Sequence, residues 1–560
     1  MACAVAVAAA AGAQGQAPAT VDSIPKDSSV IITPGARYDA GPFKRLLLGT
    51  GWRDLWKTPV TVPVLAMESW AGGLELVKRG GGAQSLVLHL KEKDGWREYR
   101  FRSVDKYPLQ SMAPELQGTL VGRLFQDRVS ALLPAAPIVV HPLLEAVGVL
   151  HVPAELYVMG DTPRLETWRD TVAGMLGTFE LKGDEAPDDK PGFAGSRAIK
   201  GVEKFHEDLA SGREHRLDER EFLTARLIDF LINDPDRSFD NYDWARFGEK
   251  GAYVWRPIPR DRDQAFIDAR GLMNAILFRP LMPTLMTFGS EYDLNGLTYS
   301  THVHDRRLLQ RLTATDFRDI AMRVRSAITD SVIMRAIAEL PDEWRGHTSG
   351  DDRLLHVLRA RRDALPAVAA AFYEQLAGEV DVYGTDEADR IEILRHPDGR
   401  VSVTIMDPAL RSVAERGDSG KIVTTSDGAV ASASEAQPGP YFSRTFIPGE
   451  TKEVRVHAGG GDDVALIMGA ASDRIAVRVI GGKGDDVLGD STAGRANHLY
   501  DAEGANRFGT AGDTRVSTRP WKPLAPEMGM RMGSEWAPDW GGSKGWESSS
   551  ASMIAPVMVS

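Results

Sequence analysis

Asp236-Arg237-Ser238-Phe239-Asp240-Asn241 and Asp261-Arg262-Asp263-Gln264-Ala265-Phe266 begin twenty-five residues apart near the middle of the chain. Between them, Tyr242 to Phe247 and Tyr253 to Ile258 are rich in aromatic and β-branched residues and flank Gly248-Glu249-Lys250-Gly251, the pattern of a hairpin. A hairpin brings its two ends together, so Asn241 and Asp261 or Asp263 converge on one point despite their separation. Before the first cluster, Leu217 to Ile232 has helical periodicity through Phe222, Leu223, Leu227, Phe230 and Leu231. Asp218 is placed as its N-cap, Glu221 as the other half of a capping box, and Pro235 as its stop.

Phosphoryl transfer needs a carboxylate to orient or deprotonate the attacking hydroxyl, and further oxygen ligands for the magnesium that neutralises the phosphates. Asp236 suits the first task, and Asn241 with Asp261 or Asp263 suits the second. The plainer alternative is a pair of surface turns, in which Arg237 and Arg262 merely neutralise neighbouring carboxylates.

The order of these parts resembles the catalytic and metal-binding loops of atypical members of the protein-kinase-like superfamily: type II phosphatidylinositol 4-kinases, HipA-type toxin kinases, the Golgi casein kinase and spore-coat CotH kinases. Those families share an Asp-Arg-x-x-x-Asn loop, often with Asp-Asn as at Asp240 and Asn241, followed beyond a short hairpin by an acidic loop ending in Phe. The resemblance implies a catalytic Asp236, Asn241 as a metal ligand, Asp261 or Asp263 as principal magnesium ligand, and ATP as donor. It also implies an N-terminal lobe. Leu74 to Val77, Ser85 to Leu90 and Glu98 to Arg102 read as its strands, with Gly80, Gly81 and Gly82 as a turn whose amides approach phosphates. The basic residue for the phosphates is Arg102 or Lys106. This departs from the family pattern, because related kinases carry Lys where this chain has Arg102, and the bulkier Arg forks differently. Pro114 to Leu133 has a helical pattern whose Glu115 or Asp127 is available to pair with that cation.

The wider composition limits the function classes. With 560 residues the chain has room for several domains, and a net charge of -12 argues against sequence-independent nucleic-acid binding. The lone Cys3 excludes an intramolecular disulfide and a cysteine zinc site. Ala2 to Gly12 is small and apolar, and Ala11-Gly12-Ala13 resembles a secretory cleavage site, which points to a periplasmic or secreted protein. No transmembrane span is expected, since the proline-bearing stretch Leu132 to Met159 reads as a buried connector. Export and ATP use conflict, because the periplasm has no resident ATP pool.

Beyond helical patterns from Thr315 to Ala338 and Leu354 to Ala377, short β-like runs begin at Glu379 and include Ile422 to Thr424 and Phe442 to Phe446. They contain a 23-residue repeat: Val454-Arg455-Val456 before Gly459-Gly460-Gly461-Asp462-Asp463, and Val477-Arg478-Val479 before Gly481-Gly482-Lys483-Gly484-Asp485-Asp486. Equal spacing implies stacked β-turn-β units with valines inside. The second copy is similar to RTX-type calcium repeats, which implies calcium at Asp463 or Asp486; a metal-free turn is the alternative.

The expected class is therefore α+β: a two-lobed kinase-like domain followed by an all-β repeat domain. Its divisions are a signal peptide at 1–20, a linker at 21–50, an N-terminal lobe at 51–160, a helical lobe at 161–378, the β domain at 379–515, and a Trp-, Gly- and Ser-rich tail at 516–560. The layout also resembles the soluble region preceding an outer-membrane surface-antigen barrel, which implies an envelope partner. The function expected is magnesium- and ATP-dependent transfer to an unidentified hydroxyl acceptor. From a different class, a non-catalytic envelope binding module with a calcium-stabilised β domain is the alternative.

Overall fold

The computed structural model describes residues 29–80, 84–111, 114–183, 192–280, 282–345, 351–409 and 439–521. The signal-like segment, Gly81 and Gly82, Ile422 to Thr424 and nearly all of the tail lie outside them.

The first lobe is built on seven strands: β1 (Ser29–Ile32), β2 (Val60–Leu65), β3 (Leu74–Gly80), β4 (Val87–Glu92), β5 (Glu98–Ser103), β6 (Ala154–Met159) and β7 (Leu176–Leu181), in the order β1-β2-β6-β7-β5-β4-β3. Strand alternation divides the sheet by chemistry. Tyr99 and Phe101 of β5 and Phe179 of β7 face a core shared with Leu74, Leu88, Leu90 and Met159, in which Tyr99 stacks on Phe179 with ring centroids 5.1 Å apart. On the opposite face Arg100, Arg102, Thr178 and Glu180 line a cleft towards the second lobe. A strand with one polar face is what a sheet beside a ligand cleft requires.

The expected helix over Pro114 to Leu133 is interrupted. Pro114–Gln117 and Leu120–Asp127 are separate helices, and Thr119 caps the second by accepting a bond from the Gly122 amide. Neither acid proposed for the phosphate-binding cation serves it: Glu115 is exposed, and Asp127 pairs with Arg53 and Lys44. Among the described residues one stretch, Leu120–Val147, passes a test of length and apolar composition for a membrane span, but its helices are broken at Leu132 to Ala135 and most of its apolar window is buried within the fold.

In the second lobe the helix Glu219–Leu231 is buried along almost its whole length, packing Phe230 against Phe372 and sharing a core with Phe317, Ile320 and Leu365. Each such apolar side chain contributes about 1.5–3 kcal/mol by leaving water. Asp218 caps this helix, accepting from the Glu221 amide at 2.9 Å. The reciprocal half of the capping box is absent, because the Glu221 carboxylate turns instead to Arg256 and the Leu150 amide. The hairpin follows as expected in a four-stranded sheet of β8 (Ala198–Lys200), β9 (His215–Leu217), β10 (Tyr242–Phe247) and β11 (Tyr253–Pro259), with Tyr242 opposite Pro259. The pattern read over Thr315 to Ala338 is two helices, Ala314–Ala327 and Asp330–Ala338, and the long helix Asp351–Ala377 closes the lobe.

The C-terminal region is all-β and winds between two sheets. Strands β12 (Glu379–Tyr383), β13 (Arg390–Arg395), β14 (Val401–Met406), β15 (Phe442–Phe446), β16 (Glu453–Gly460), β17 (Val464–Gly469), β18 (Ala476–Lys483), β19 (Val487–Asp490), β20 (Asn497–Tyr500), β21 (Arg507–Thr510) and β22 (Arg515–Ser517) form sheets of order β12-β16-β18-β20-β22 and β15-β14-β13-β17-β19-β21; β13, β14 and β15 form an antiparallel meander in the second, and from β15 onward the strands alternate between the two. The 23-residue repeat is the rung spacing: Val454 lies opposite Val477 and Val456 opposite Val479 in parallel register. Val380 and Val382 lie opposite Val454 and Val456, so Glu379–Tyr383 is a further rung of the same coil.

Glycine is required where rungs stack at the corner. Gly482 has φ +121°, and a Cβ there would run into the Gly459 carbonyl oxygen. Gly482→Ala should therefore destabilise the β domain by about 1–3 kcal/mol. Thermal unfolding of the variant tests this, and unchanged stability would show that the corner has room to relax.

Candidate functional site

The two acidic loops meet, and basic residues of the first lobe complete the meeting point. Arg102 Nη1 lies 2.9 Å from Asp261 Oδ2 and 3.7 Å from Asp263 Oδ2. Lys106, 6% exposed, places Nζ 2.5 Å from Asp263 Oδ2. Both basic candidates thus reach the second loop, Arg102 from β5 and Lys106 from the turn after it. Asp236 is joined to the same loop by Gln264, whose Nε2 donates to Asp236 Oδ2 at 2.6 Å.

Local folding explains why the loops present these groups. Asn241 Nδ2 donates to the Asp236 carbonyl at 2.6 Å, which closes the first loop and turns the amide oxygen away from that carbonyl. The Arg260 amide donates to the Asn241 carbonyl at 2.9 Å, joining the loops where the hairpin ends. Asp261 is held at φ +53°, a left-handed conformation that a non-glycine residue adopts at a cost of about 1–3 kcal/mol. Surrounding contacts enforce it: Arg237 Nη1 donates to the carbonyls of Arg260 and Asp261 at 2.7 and 3.1 Å.

The electrostatics separate the carboxylates. Burial alone would raise the Asp261 carboxyl, but the charges of Arg102 and Lys106 outweigh it and hold the group well below the usual range. Asp263 is pushed up, first by burial and then by the charge of Asp261. Asp236 is also raised, again by burial first and Asp261 second. Two adjacent buried carboxyls, the second raised by burial and by the charge of the first, form an environment that a divalent cation would relieve.

The residues fit magnesium in part of its coordination. Asp261 Oδ1 is buried with no hydrogen-bond partner, and Asp263 shares the Arg102 guanidinium with Asp261. Among the described residues no three His, Cys, Asp or Glu side chains gather closely enough to hold a metal on their own.

Gly80 ends β3 opposite Val87, and Val87 lies opposite Arg102 in the next strand pair. The start of the glycine turn is therefore two strands, roughly 10 Å, from the basic side chain and at the same end of the sheet. Gly81 and Gly82 lie outside the described residues. Beside the meeting point a solvent-open cleft runs between the lobes, with Val140, Leu144 and Ile258 as its apolar wall and Glu180 on the strand face.

Asp463 and Asp486 are placed elsewhere, inside the β-domain corner. The Asp389 amide donates to Asp463 Oδ1 at 2.7 Å, the Asp463 amide to Asp486 Oδ1 at 2.9 Å, and the Asp486 amide to Asn506 Oδ1 at 2.8 Å. The paired aspartates run the opposite way: Asp485 N donates to Asp462 Oδ1 at 2.9 Å, and Ala505 N to Asp485 Oδ1 at 2.8 Å. The Asp-Asp pair is thus a two-way ladder between rungs. Oδ2 of Asp463, Asp486 and Asp501 is buried without a partner.

Sequence reasoning missed Gln264, Asp229 and Asp234. Gln264 stood inside the second motif, and only its contact with Asp236 gives it a role. Asp234 Oδ1 accepts from the Asp236 amide at 3.2 Å, an Asx-type contact that the Asn-Asp-Pro-Asp run could have indicated.

No protein-family model matches the chain, and no curated protein matches it. Among solved structures it is similar to the Helicobacter pylori proinflammatory kinase CtkA, at 10% identity over 51% of this chain and 93% of that one, with a TM-score of 0.26. It is also similar to a Shewanella oneidensis MR-1 toxin-antitoxin complex of HipA, HipB and operator DNA, at 11% identity over 55% of this chain and 70% of that one, with a TM-score of 0.26. Superposition at that level leaves the chemistry to be judged from the site's own geometry.

Proposed function

We propose that the two-lobed domain is an atypical kinase, transferring a phosphoryl group from a magnesium-bound nucleotide, ATP in the first instance, to a hydroxyl acceptor. The observation that carries this reading is the convergence of Asp236, Asp261 and Asp263 with Arg102 and Lys106, drawn from both lobes onto one point beside the interlobe cleft. Asp261, Asp263 and Asn241 would hold the magnesium, which neutralises phosphate charge when bound. Arg102 and Lys106 exchange their carboxylate partners for phosphate oxygens. Asp236 orients the acceptor hydroxyl and takes its proton, while Gln264 fixes the carboxylate rotamer.

A second reading has a specific observation in its favour: each cation is already paired with a carboxylate, so the site is satisfied without nucleotide. On that reading the lobes are a non-catalytic scaffold at the cell envelope, and the unpartnered Oδ2 atoms of Asp463 and Asp486 take calcium.

Thermal unfolding of the full chain separates the two. With ATP and magnesium together, but not with ATP alone, the melting temperature should rise by several degrees; saturation at about 100 times Kd corresponds to about 2.7 kcal/mol. The double variant Asp261→Ala, Asp263→Ala should show no rise. No shift in a folded, unaltered chain would remove the kinase reading and leave the scaffold.

A further inference from the structure

Two ionised residues lie inside the buried helix Glu219–Leu231. Arg226 and Asp229 have no solvent exposure, and neither belongs to the loops that carry the proposed chemistry. Asp229 Oδ2 accepts from Tyr242 Oη at 2.8 Å and from Arg226 Nη1 at 2.7 Å, with Arg237 Nε 3.7 Å away. Its other oxygen accepts from Arg262 Nη1. Arg237 directly follows Asp236, and Arg262 stands between Asp261 and Asp263. A single carboxylate therefore faces one guanidinium from each acidic loop.

The rest of the network closes around it. Arg237 Nη2 donates to the Asn241 carbonyl at 2.7 Å, and Nη1 reaches the carbonyls of Arg260 and Asp261. Asp234 Oδ2 lies 3.4 Å from Arg237 Nη1 and 3.7 Å from Arg262 Nη1. Arg226 continues to Asp305, with Nε 2.8 Å from Oδ1. The guanidiniums of Arg226, Arg237 and Arg262 face the carboxyls of Asp229, Asp234 and Asp305 in a buried cluster, where an uncompensated charge is strongly unfavourable, and burial pushes Asp234 up to about 7. Burial works against ionisation of Asp229, but Arg262, Arg237 and Arg226 outweigh it and hold its pKa at about 2. The guanidiniums of the two motifs thus turn inward to the helix, and Arg237 also faces Asp234 of its own loop.

We propose that Asp229 is a positioning residue that yokes the two acidic loops, fixing Arg237 and Arg262 together and so setting Asp236 against Asp261 and Asp263. What that spacing serves rests on the phosphotransfer reading; the yoke itself does not. Rigid support behind reacting groups matters because small misplacements of such groups are costly to rate.

The test is amide hydrogen exchange on the full chain, comparing the unaltered protein with Asp229→Asn and Tyr242→Phe. Asn keeps the shape and a hydrogen-bond acceptor for Tyr242 but cannot balance two guanidiniums. In Asp229→Asn, amides of 234–241 and 260–266 should exchange about tenfold faster or more, while the helix Ala314–Ala327 and the β domain are unchanged. Magnesium-dependent ATP affinity should fall by about tenfold, with the weaker metal-free affinity unaffected, a split that general loss of structure would not produce. Tyr242→Phe removes one hydrogen bond and should raise exchange in both loops together by about two- to fivefold, which keeps the test available if Asp229→Asn does not fold. Loops that exchange at the unaltered rate in a folded Asp229→Asn, or in Tyr242→Phe where Asp229→Asn is unfolded, overturn the yoke. If the unaltered chain binds no magnesium nucleotide, the kinase reading fails and the exchange rates still decide the role of Asp229.

Discussion

Asp236→Asn is expected to lower phosphoryl transfer by about 10²- to 10⁴-fold while leaving magnesium-nucleotide affinity within about threefold. The substitution is nearly isosteric, and the Asn side-chain oxygen still accepts from Gln264, so the loop geometry survives. What is lost is a group able to accept the acceptor's proton. Burial, then the negative charge of Asp261, raises the Asp236 carboxyl above the ordinary range, which strengthens it as a base once ionised. kcat/KM, which reports the free enzyme, should accordingly fall as pH drops through this raised value, giving an acid limb above that of a free aspartate, and the limb should be absent from the residual activity of Asp236→Asn. Because the acceptor is unidentified, ATP turnover and self-phosphorylation are the measurements. Equal turnover in the variant, with nucleotide still bound, would assign the cleft to nucleotide binding alone.

Parts of the site were legible because local chemistry dictated them. Tyr242 to Phe247 and Tyr253 to Ile258 could hardly form anything but strands, and Gly248 and Gly251 at φ +86° and +91° supply the turn between them. Once the hairpin is granted, the meeting of the acidic loops follows. The roles of Arg237 and Arg262 did not follow, because an arginine side chain reaches far beyond its sequence neighbours and its partner is set by packing. Asp229 was hidden for a related reason. With Arg226 three residues before it, it has the spacing of a surface ion pair on an amphipathic helix, and only tertiary packing on every side turns that helix into a core element.

The β domain shows a different limit. Its 23-residue step was visible in Val454 and Val477, but the rung at Val380 and Val382 has no glycine triplet and is separated from the next by a long excursion. The Gly-Gly-x-Gly-Asp-Asp corner is ambiguous from sequence in principle. Stacked rungs need glycine for the tight turn whether the aspartates bind a cation or the next rung's amides, so one pattern serves both.

Protonation distinguishes these uses, and it sets the second large effect: the β domain should lose stability as pH rises from about 5 to 8. Asp463 is pushed up to about 8, chiefly by burial, with the charge of Asp486 adding to it and the hydrogen bond from the Asp389 amide opposing. Asp486 and Asp501 are raised too, with burial again the largest cause. In the unfolded chain these carboxyls ionise near pH ~3.9. Below that value both states hold the protons and the domain has its full stability. Between it and the folded values, the unfolded chain releases protons that the folded column retains, so stability falls by up to about 1.4 kcal/mol per pH unit for Asp463, with Asp486 and Asp501 adding in the same direction. The loss levels off once Asp463 itself ionises. Asp463→Asn keeps an oxygen for the Asp389 amide and needs no proton, so it should flatten this pH dependence and stabilise the β domain at pH 8. Unfolding of the full chain with and without calcium reads the result. If Asp463→Asn is instead destabilising at pH 8, and calcium protects only the unaltered chain, the column holds a cation in place of protons, and the rungs of this coil are a metal-dependent structure.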